Sequence, residues 1–274
     1  MGRIEYWLLG AVGALIIFIA VESAKSSLQP RRYALQVQQS GHPRDVDQSV
    51  SVSVSDTSSA AEATPAPASV DVHSAVLRSR APVPLRNVAE IRRRITDGAS
   101  RTYILDLLAS QDSVLFRWPD SQVRVWIQPD PHVRDWWIGY VESARDVFLE
   151  WQTAGIPLRF TFPTDSTGAD IVLRWIEQFP ANEMRIGLTR RRADQNAWVT
   201  HAEVIVALHD NDGDTFPPGE ISEILRHEIG HALGLGHARN RGTIMYPENT
   251  QLDLTETDKE TLHLLYTLPP GKVK

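Results

Sequence analysis

Residues Ile221–Leu233 read ISEILRHEIGHAL, and two histidines four positions apart in an otherwise apolar helical pattern constrain this chain more than any other feature. One helical turn places His227 and His231 on the same face, so two neutral imidazoles can reach one metal ion. Glu228 lies one residue on, about 100° further around the helix. It cannot easily join that ligand set and is placed instead to face a water on the metal, as general base and later proton donor. Pro217-Pro218-Gly219 stands ahead of the helix as a breaker. Gly234, three residues after His231, permits the left-handed conformation that ends a helix and turns the chain back. The reversal can bring His237 to the ion as a third ligand, leaving open the fourth position that a hydrolytic zinc needs.

Composition narrows the choice of ligands. The chain has 274 residues and no cysteine, which excludes disulfides, thiolate metal sites and cysteine nucleophiles; a metal must be held by His, Asp or Glu. A net charge of -6 gives no electrostatic reason for a nucleic-acid partner.

Trp7–Val21 (WLLGAVGALIIFIAV) is an uncharged run behind Arg3. Its length falls between a signal-peptide core of about 7–15 residues and a spanning helix of about 17–25. Val21-Glu22-Ser23 offers a tolerable cleavage site, and Lys25, Arg31 and Arg32 beyond the run argue against a simple N-inside anchor. Residues 1–23 are therefore expected to be a signal peptide or membrane anchor. Membrane association would run through residues 7–21, and the protein would lie outside the cytoplasm, secreted or anchored. SVSVSDTSSAAEATPAPASV, rich in Ser, Ala and Pro, buries too little surface to offset ordering entropy. Residues 24–85 are read as a flexible linker; its SVSVSV alternates as a short strand could, but it has no neighbouring hairpin partner.

Order is expected to return near Leu85. Val88, Ile91 and Ile95 have helical spacing closed by Asp97-Gly98, and a second short helix fits Tyr103–Ala109. Residues 86–122 thus form an N-terminal helical extension ahead of a main domain at 123–274. VRVWIQ (Val123–Gln128) alternates as a strand. Ile138–Gln152 is an amphipathic helix on Val141, Ala144, Val147, Phe148 and Trp151, stopped by Gly155. Four further strands fit Leu158–Phe162, Ala169–Trp175, Gly187–Arg191 and Ala202–Leu208. A helix between the first two strands implies a parallel crossover and a mixed sheet. Trp126, Trp151 and Trp175 are expected in the core.

HEIGHALGLGH (His227–His237) followed by TIMYP (Thr243–Pro247) resembles the metzincin metallopeptidases, and among them most closely the matrixins. Met245 follows His237 by eight positions, a short spacing of the matrixin kind. Upstream, IPLRFTF and ADIVLRW, and downstream LTETDKETLHLLY (Leu254–Tyr266), are similar to the catalytic domain of that family, so the resemblance spans roughly residues 123–268. It implies a zincin-like α+β fold: a mixed, mostly parallel five-stranded sheet with an antiparallel edge strand, an active-site helix, a Met-turn and a C-terminal helix. It implies that His227, His231 and His237 bind one catalytic zinc and that Glu228 activates zinc-bound water. Met245 would form the base beneath the metal, and Pro247 would begin the wall of the pocket for the residue after the scissile bond. The edge strand at Gly187, Leu188 and Thr189 would pair with an extended peptide. The activity so implied is that of a zinc-dependent endopeptidase on proteins or peptides, in a monomer. Tyr246 directly follows Met245, whereas families with a tyrosine ligand place it two positions after, so it is not assigned to the metal.

The departures from the family are specific. No cysteine is present to occupy the zinc from a propeptide. Ala238 follows His237 where a polar residue is usual. Thr257 precedes Asp258 where two acids are usual, and Asp258 alone is expected to hydrogen-bond near the Met-turn. HDNDGD (His209–Asp214) has the oxygen spacing that opens a calcium loop but no bidentate acid at the standard distance, so a solvated loop is the commoner explanation and Ca2+ the rarer one. His201 and His209 offer only two ligands for a second zinc. Arg190, Arg191 and Arg192 either favour acidic substrates or simply protect a charged edge. Two rival readings stand beside the endopeptidase: a zinc-binding interaction module without turnover, and an amidase on cell-wall peptides.

Overall fold

The computed structural model describes residues 36–37, 87–119, 122–183, 185–248 and 253–273. The apolar run at 7–21, the rest of the linker and its SVSVSV stretch lie outside the described residues. Among the described residues no helix is long and apolar enough to cross a membrane.

Elements run in the order β1 (Gln36–Val37), α1 (Val88–Gly98), α2 (Ile104–Ser110), β2 (Val114–Leu115), β3 (Gln122–Ile127), α3 (Gly139–Gln152), β4 (Arg159–Thr161), β5 (Ile171–Ile176), β6 (Gly187–Ala193), β7 (Val199–Ala207), α4 (Pro218–Ala232), α5 (Glu256–Thr267) and β8 (Gly271–Lys272). The main sheet has the order β1-β6-β7-β5-β3-β4. Pairs β3–β4, β3–β5 and β5–β7 are parallel, and β6 runs antiparallel to β7. This is the mixed, mostly parallel five-stranded sheet of an α+β, zincin-like fold, with α3 as the crossover from β3 to β4. A sixth, two-residue strand adds to it: β1 pairs in parallel with β6, Gln36 opposite Leu188 and Val37 opposite Thr189.

Alternation along β3 turns Val123, Val125 and Ile127 into the core. The same alternation puts Trp126 on the other face. It is half-buried there under the Arg174 guanidinium, 5.6 Å from its ring, and so departs from the core position expected of it. Trp151 and Trp175 are buried as expected. The proline pair before α4 does not break the helix but begins it. Pro218 is its first residue, where a fixed φ suits the helix and the missing N–H would have no partner.

The segment 86–122 is built into the same core as the sheet and α4, through Ile91, Ile95, Ile104, Leu107, Leu115 and Trp118. One tie is polar. Helix α5 opens with a capping box in which the Thr255 side chain accepts from Asp258 N–H and Asp258 accepts from Thr255 N–H. The buried Asp258 carboxylate also accepts from Ile244 N–H at 3.0 Å and from the Tyr103 hydroxyl at 3.1 Å. One side chain thus joins the extension, α5 and the residue before Met245, as expected for Asp258 near that turn. Tyr103→Phe is expected to cost about 1.5 kcal/mol, the low end for one neutral donor to a charged acceptor. Asp258→Ala should cost at least twice as much, because it strands several buried donors at once. Urea denaturation of both variants checks the ratio.

Candidate metal centre

Helix α4 delivers two imidazoles whose orientation is fixed from behind. His227 Nδ1 lies 2.7 Å from the Ile244 carbonyl and His231 Nδ1 lies 3.0 Å from the Leu235 carbonyl. Carbonyls only accept, so each Nδ1 carries the proton and each Nε2 turns inward as a lone-pair donor. The two Nε2 atoms are 2.9 Å apart. His237 completes the cluster, with ring centroids 5.3 Å from His227 and 4.9 Å from His231. Ligand atoms of the three all lie within 4.8 Å of one another. Zinc with metal–nitrogen distances near 2.0–2.1 Å needs such atoms about 3.3 Å apart, within reach of small side-chain adjustments. The donor set, all neutral nitrogen with a carbonyl behind two rings, fits zinc. Among the described residues this is the sole group of three or more ligating side chains able to converge on one ion.

The turn to His237 depends on Gly234, whose φ of +117° and close approach to the Phe116 carbonyl (2.3 Å from where a Cβ would sit) both exclude a side chain. The last carbonyls of α4 are taken up by side chains. Trp118 Nε1 donates to Ala232 O at 2.9 Å, the Tyr266 hydroxyl to Leu233 O at 3.0 Å, and Gln111 Nε2 to Gly234 O at 3.1 Å. Below the ligands, Met245 is fully buried and packs against Gly230, where a Cβ would lie 2.5 Å from its sulfur and 3.0 Å from the Trp151 ring. The glycine between Glu228 and His231 is thus the space that the methionine fills.

Glu228 is fully buried and meets β6 at Gly187 and Thr189. The Thr189 hydroxyl lies 2.6 Å from its Oε2 and 2.9 Å from its backbone carbonyl. Its Oε1 has no hydrogen-bond partner among the described residues. A Cβ on Gly187 would lie 2.5 Å from Oε1. Burial raises the Glu228 carboxyl to about 8, against the opposing pull of the Thr189 hydrogen bond and the Arg185 charge. Burial lowers His227 to about 3, with His237 adding to the effect, and also holds His231 well below its usual 6.5. These two ligands are therefore neutral and ready for a cation at any pH near neutrality.

Of the residues expected to pair with substrate, Leu188 and Thr189 do lie on β6 beside the triad, but their outer edge carries β1. Pro247 and Tyr246 face Asp106 and Ser110 of α2 across a cavity of about 490 Å3 that reaches His237. Tyr246 stacks under Arg241, 4.9 Å from its guanidinium. The three arginines of β6 meet different fates: Arg190 pairs with Glu203 at 3.3 Å, Arg192 is exposed, and Arg191 is buried against the Phe116 ring. His209 has no part in a second zinc site with His201. Its Nε2 meets Asp135 at 2.9 Å and its Nδ1 the Glu177 carbonyl at 3.2 Å. In the adjoining loop Asp210 accepts from Asp212 N–H and Asp214 N–H at 3.0 and 2.9 Å, so its carboxylate braces a turn. The side-chain role of Thr189, the packing role of Gly230 and the caps from Gln111 and Trp118 carry no sequence signal of their own, because each is a contact across long chain separation.

Residues 137–267 match the family model for matrixin. Metalloendoproteinase 1-MMP of Arabidopsis thaliana is 28% identical over 133 residues, 44% of this chain and 36% of that protein. Metalloendoproteinase 2-MMP of the same plant is 42% identical over 56 residues, 19% of this chain and 15% of that protein. The chain thus spans about a third or less of the length of these relatives. The crystal structure of myroilysin aligns with TM-score 0.38 at 15% identity, covering 55% of this chain and 85% of that one. Over residues 137–267 the chain is therefore similar to the matrixin family.

The three buried groups give the metal-free protein a distinctive pH response. From about pH 3 to 6.5 an unfolded histidine binds a proton that folded His227 and His231 refuse, so stability rises with pH. From 4.5 to about 8 folded Glu228 holds a proton that the unfolded chain has lost, so its contribution falls with pH. Two histidines outweigh one carboxyl where the intervals overlap. Stability of the chelated protein, from urea titrations at stepped pH, should peak near 6.5, and Glu228→Gln should flatten the decline towards 8.

Proposed function

We propose that this chain is a zinc-dependent endopeptidase acting outside the cytoplasm, secreted or membrane-anchored. The observation that carries the reading is the buried Glu228 carboxylate standing beside a convergent histidine triad, with one oxygen that no other group engages among the described residues. His227, His231 and His237 would hold the ion through ring nitrogens. Zinc bound there supplies a Lewis acid that polarises the substrate carbonyl and acidifies water.

The remaining chemistry belongs to the chain. Glu228 takes the proton from the attacking water as its oxygen adds to the carbonyl carbon. It then delivers that proton to the departing amine nitrogen as the C–N bond breaks. Burial strengthens its hold on a proton, and a neighbouring cation weakens it, which brings an acid and base role within reach at neutral pH. The backbone of Leu188 and Thr189 would hold an extended peptide by strand addition, and the cavity at Pro247 would receive a side chain beyond the scissile bond. Gln36–Val37 uses the same backbone edge, so a peptide takes that edge by displacing it.

An interaction module with a merely structural zinc explains the triad but not the glutamate, since a structural site needs neither a base nor an open position. A cell-wall amidase would use the same chemistry on another amide, and cleavage profiling on a peptide library against muropeptides separates it. Glu228→Ala is expected to fold, to retain one zinc per chain, and to lose peptide hydrolysis by at least about a thousandfold. Metal analysis paired with turnover measures this, and undiminished turnover would sink the assigned mechanism.

A further inference from the structure

Residues 187–189 do something beyond presenting a backbone edge. Strand alternation sends Leu188 to one face, where it packs with Phe179 and Ala207, and sends Gly187 and Thr189 to the other, against α4. Those two inward positions flank the Glu228 carboxylate. Gly187 leaves the volume that Oε1 and the side-chain carbons of Glu228 occupy, since a Cβ there would come within 2.5 to 2.8 Å of them. Thr189, itself fully buried, sets its hydroxyl 2.6 Å from Oε2. One hydroxyl has one proton, and the shorter contact to the carboxylate is the stronger acceptor of it.

We infer that Thr189 is a positioning residue for Glu228: its hydroxyl holds Oε2, so that Oε1 is the oxygen presented to the water. This inference rests on the endopeptidase reading above. A glutamate has three side-chain rotors, and a carboxylate free to turn spends much of its time misaligned with a proton it must take and return. A single donor from a rigid strand removes that freedom. The strand is well placed for it, because β6 is fixed by its full antiparallel register with β7 rather than by α4 itself. The Thr189 side chain touches neither substrate nor metal in this scheme. Its effect passes entirely through the carboxylate.

The test uses the full zinc-loaded chain and three substitutions. Thr189→Val keeps the shape and the β-branching and deletes the hydroxyl. It should lower kcat on a peptide substrate about ten- to a hundredfold with KM changed less than about twofold, the size expected for losing a hydrogen bond to a charged group. Zinc stoichiometry should stay at the wild-type value, and the thermal midpoint should fall only by the few degrees that one lost buried hydrogen bond costs. Thr189→Ser should restore kcat to within about threefold, which a purely packing role would not. Affinity for acetohydroxamate, a ligand that gives a proton to the glutamate, should weaken in Thr189→Val and recover in Thr189→Ser. Thr189→Ala repeats the deletion without a bulky group and serves if the valine variant folds poorly.

Wild-type kcat and wild-type hydroxamate affinity in a folded, zinc-loaded Thr189→Val or Thr189→Ala would overturn the inference. So would a loss that Thr189→Ser fails to rescue. Failure of the underlying reading looks different: the wild type itself would not hydrolyse peptides. The hydroxamate affinities then still decide about Thr189, equal values for wild type and Thr189→Val counting against it.

Discussion

Burying three ionisable side chains on two turns of one helix is the constraint from which the rest of the structure follows. His227, Glu228 and His231 are all fully excluded from water. Exposed to solvent they would cost nothing, but buried they favour their neutral forms and need partners. The fold meets that need with groups drawn from distant sequence. The carbonyls of Leu235 and Ile244 take the Nδ1 protons, and the Thr189 hydroxyl takes one oxygen of the carboxylate. Each partner sits on an element whose place is set elsewhere: Ile244 by Asp258, Leu235 by the turn at Gly234, Thr189 by β7.

That dependence explains which features could be read in the sequence. The helix and its two histidines follow from a local period, and Gly234 from the steric freedom of a single residue. The strands β3 and β7 announce themselves by alternating apolar residues, β5 by a short apolar run, and the helices α1 and α3 by helical spacing. Trp126 shows the limit of that reading. It alternates correctly but faces the side that an arginine covers instead of the core. The proline pair before α4 shows another: φ is fixed in both residues, and whether a proline precedes the helix or begins it depends on a ψ that the sequence does not display.

What could not be read are contacts made at long range between small or polar groups. Gly187 and Gly230 look alike in composition terms, yet one makes room for a carboxylate and the other for a methionine sulfur. Asp258 was legible only as a brace near the Met-turn; its third partner, Tyr103, lies in the segment ahead of the family match. Helical spacing alone marks that segment as an extension ahead of the main domain. It shares one core with the sheet and α4, and Gln111 and Trp118 from it help close the end of the metal helix.

The same long-range logic bears on what surrounds the site. A matched segment that starts at residue 137 leaves out β3, α1 and α2, although α2 supplies one wall of the cavity beside His237. The wall opposite comes from Tyr246 and Pro247, inside the match. The chemistry of the ligands and the shape of the groove thus come from different parts of the chain. A family's motif can fix the first while leaving the second to residues such as Asp106, whose carboxylate holds Arg239 N–H at 3.0 Å and so sets how far α2 stands from the third histidine. The shape of the cavity beside His237 is then a property of the packing between α2 and the turn after His237, and only secondarily of the motif itself.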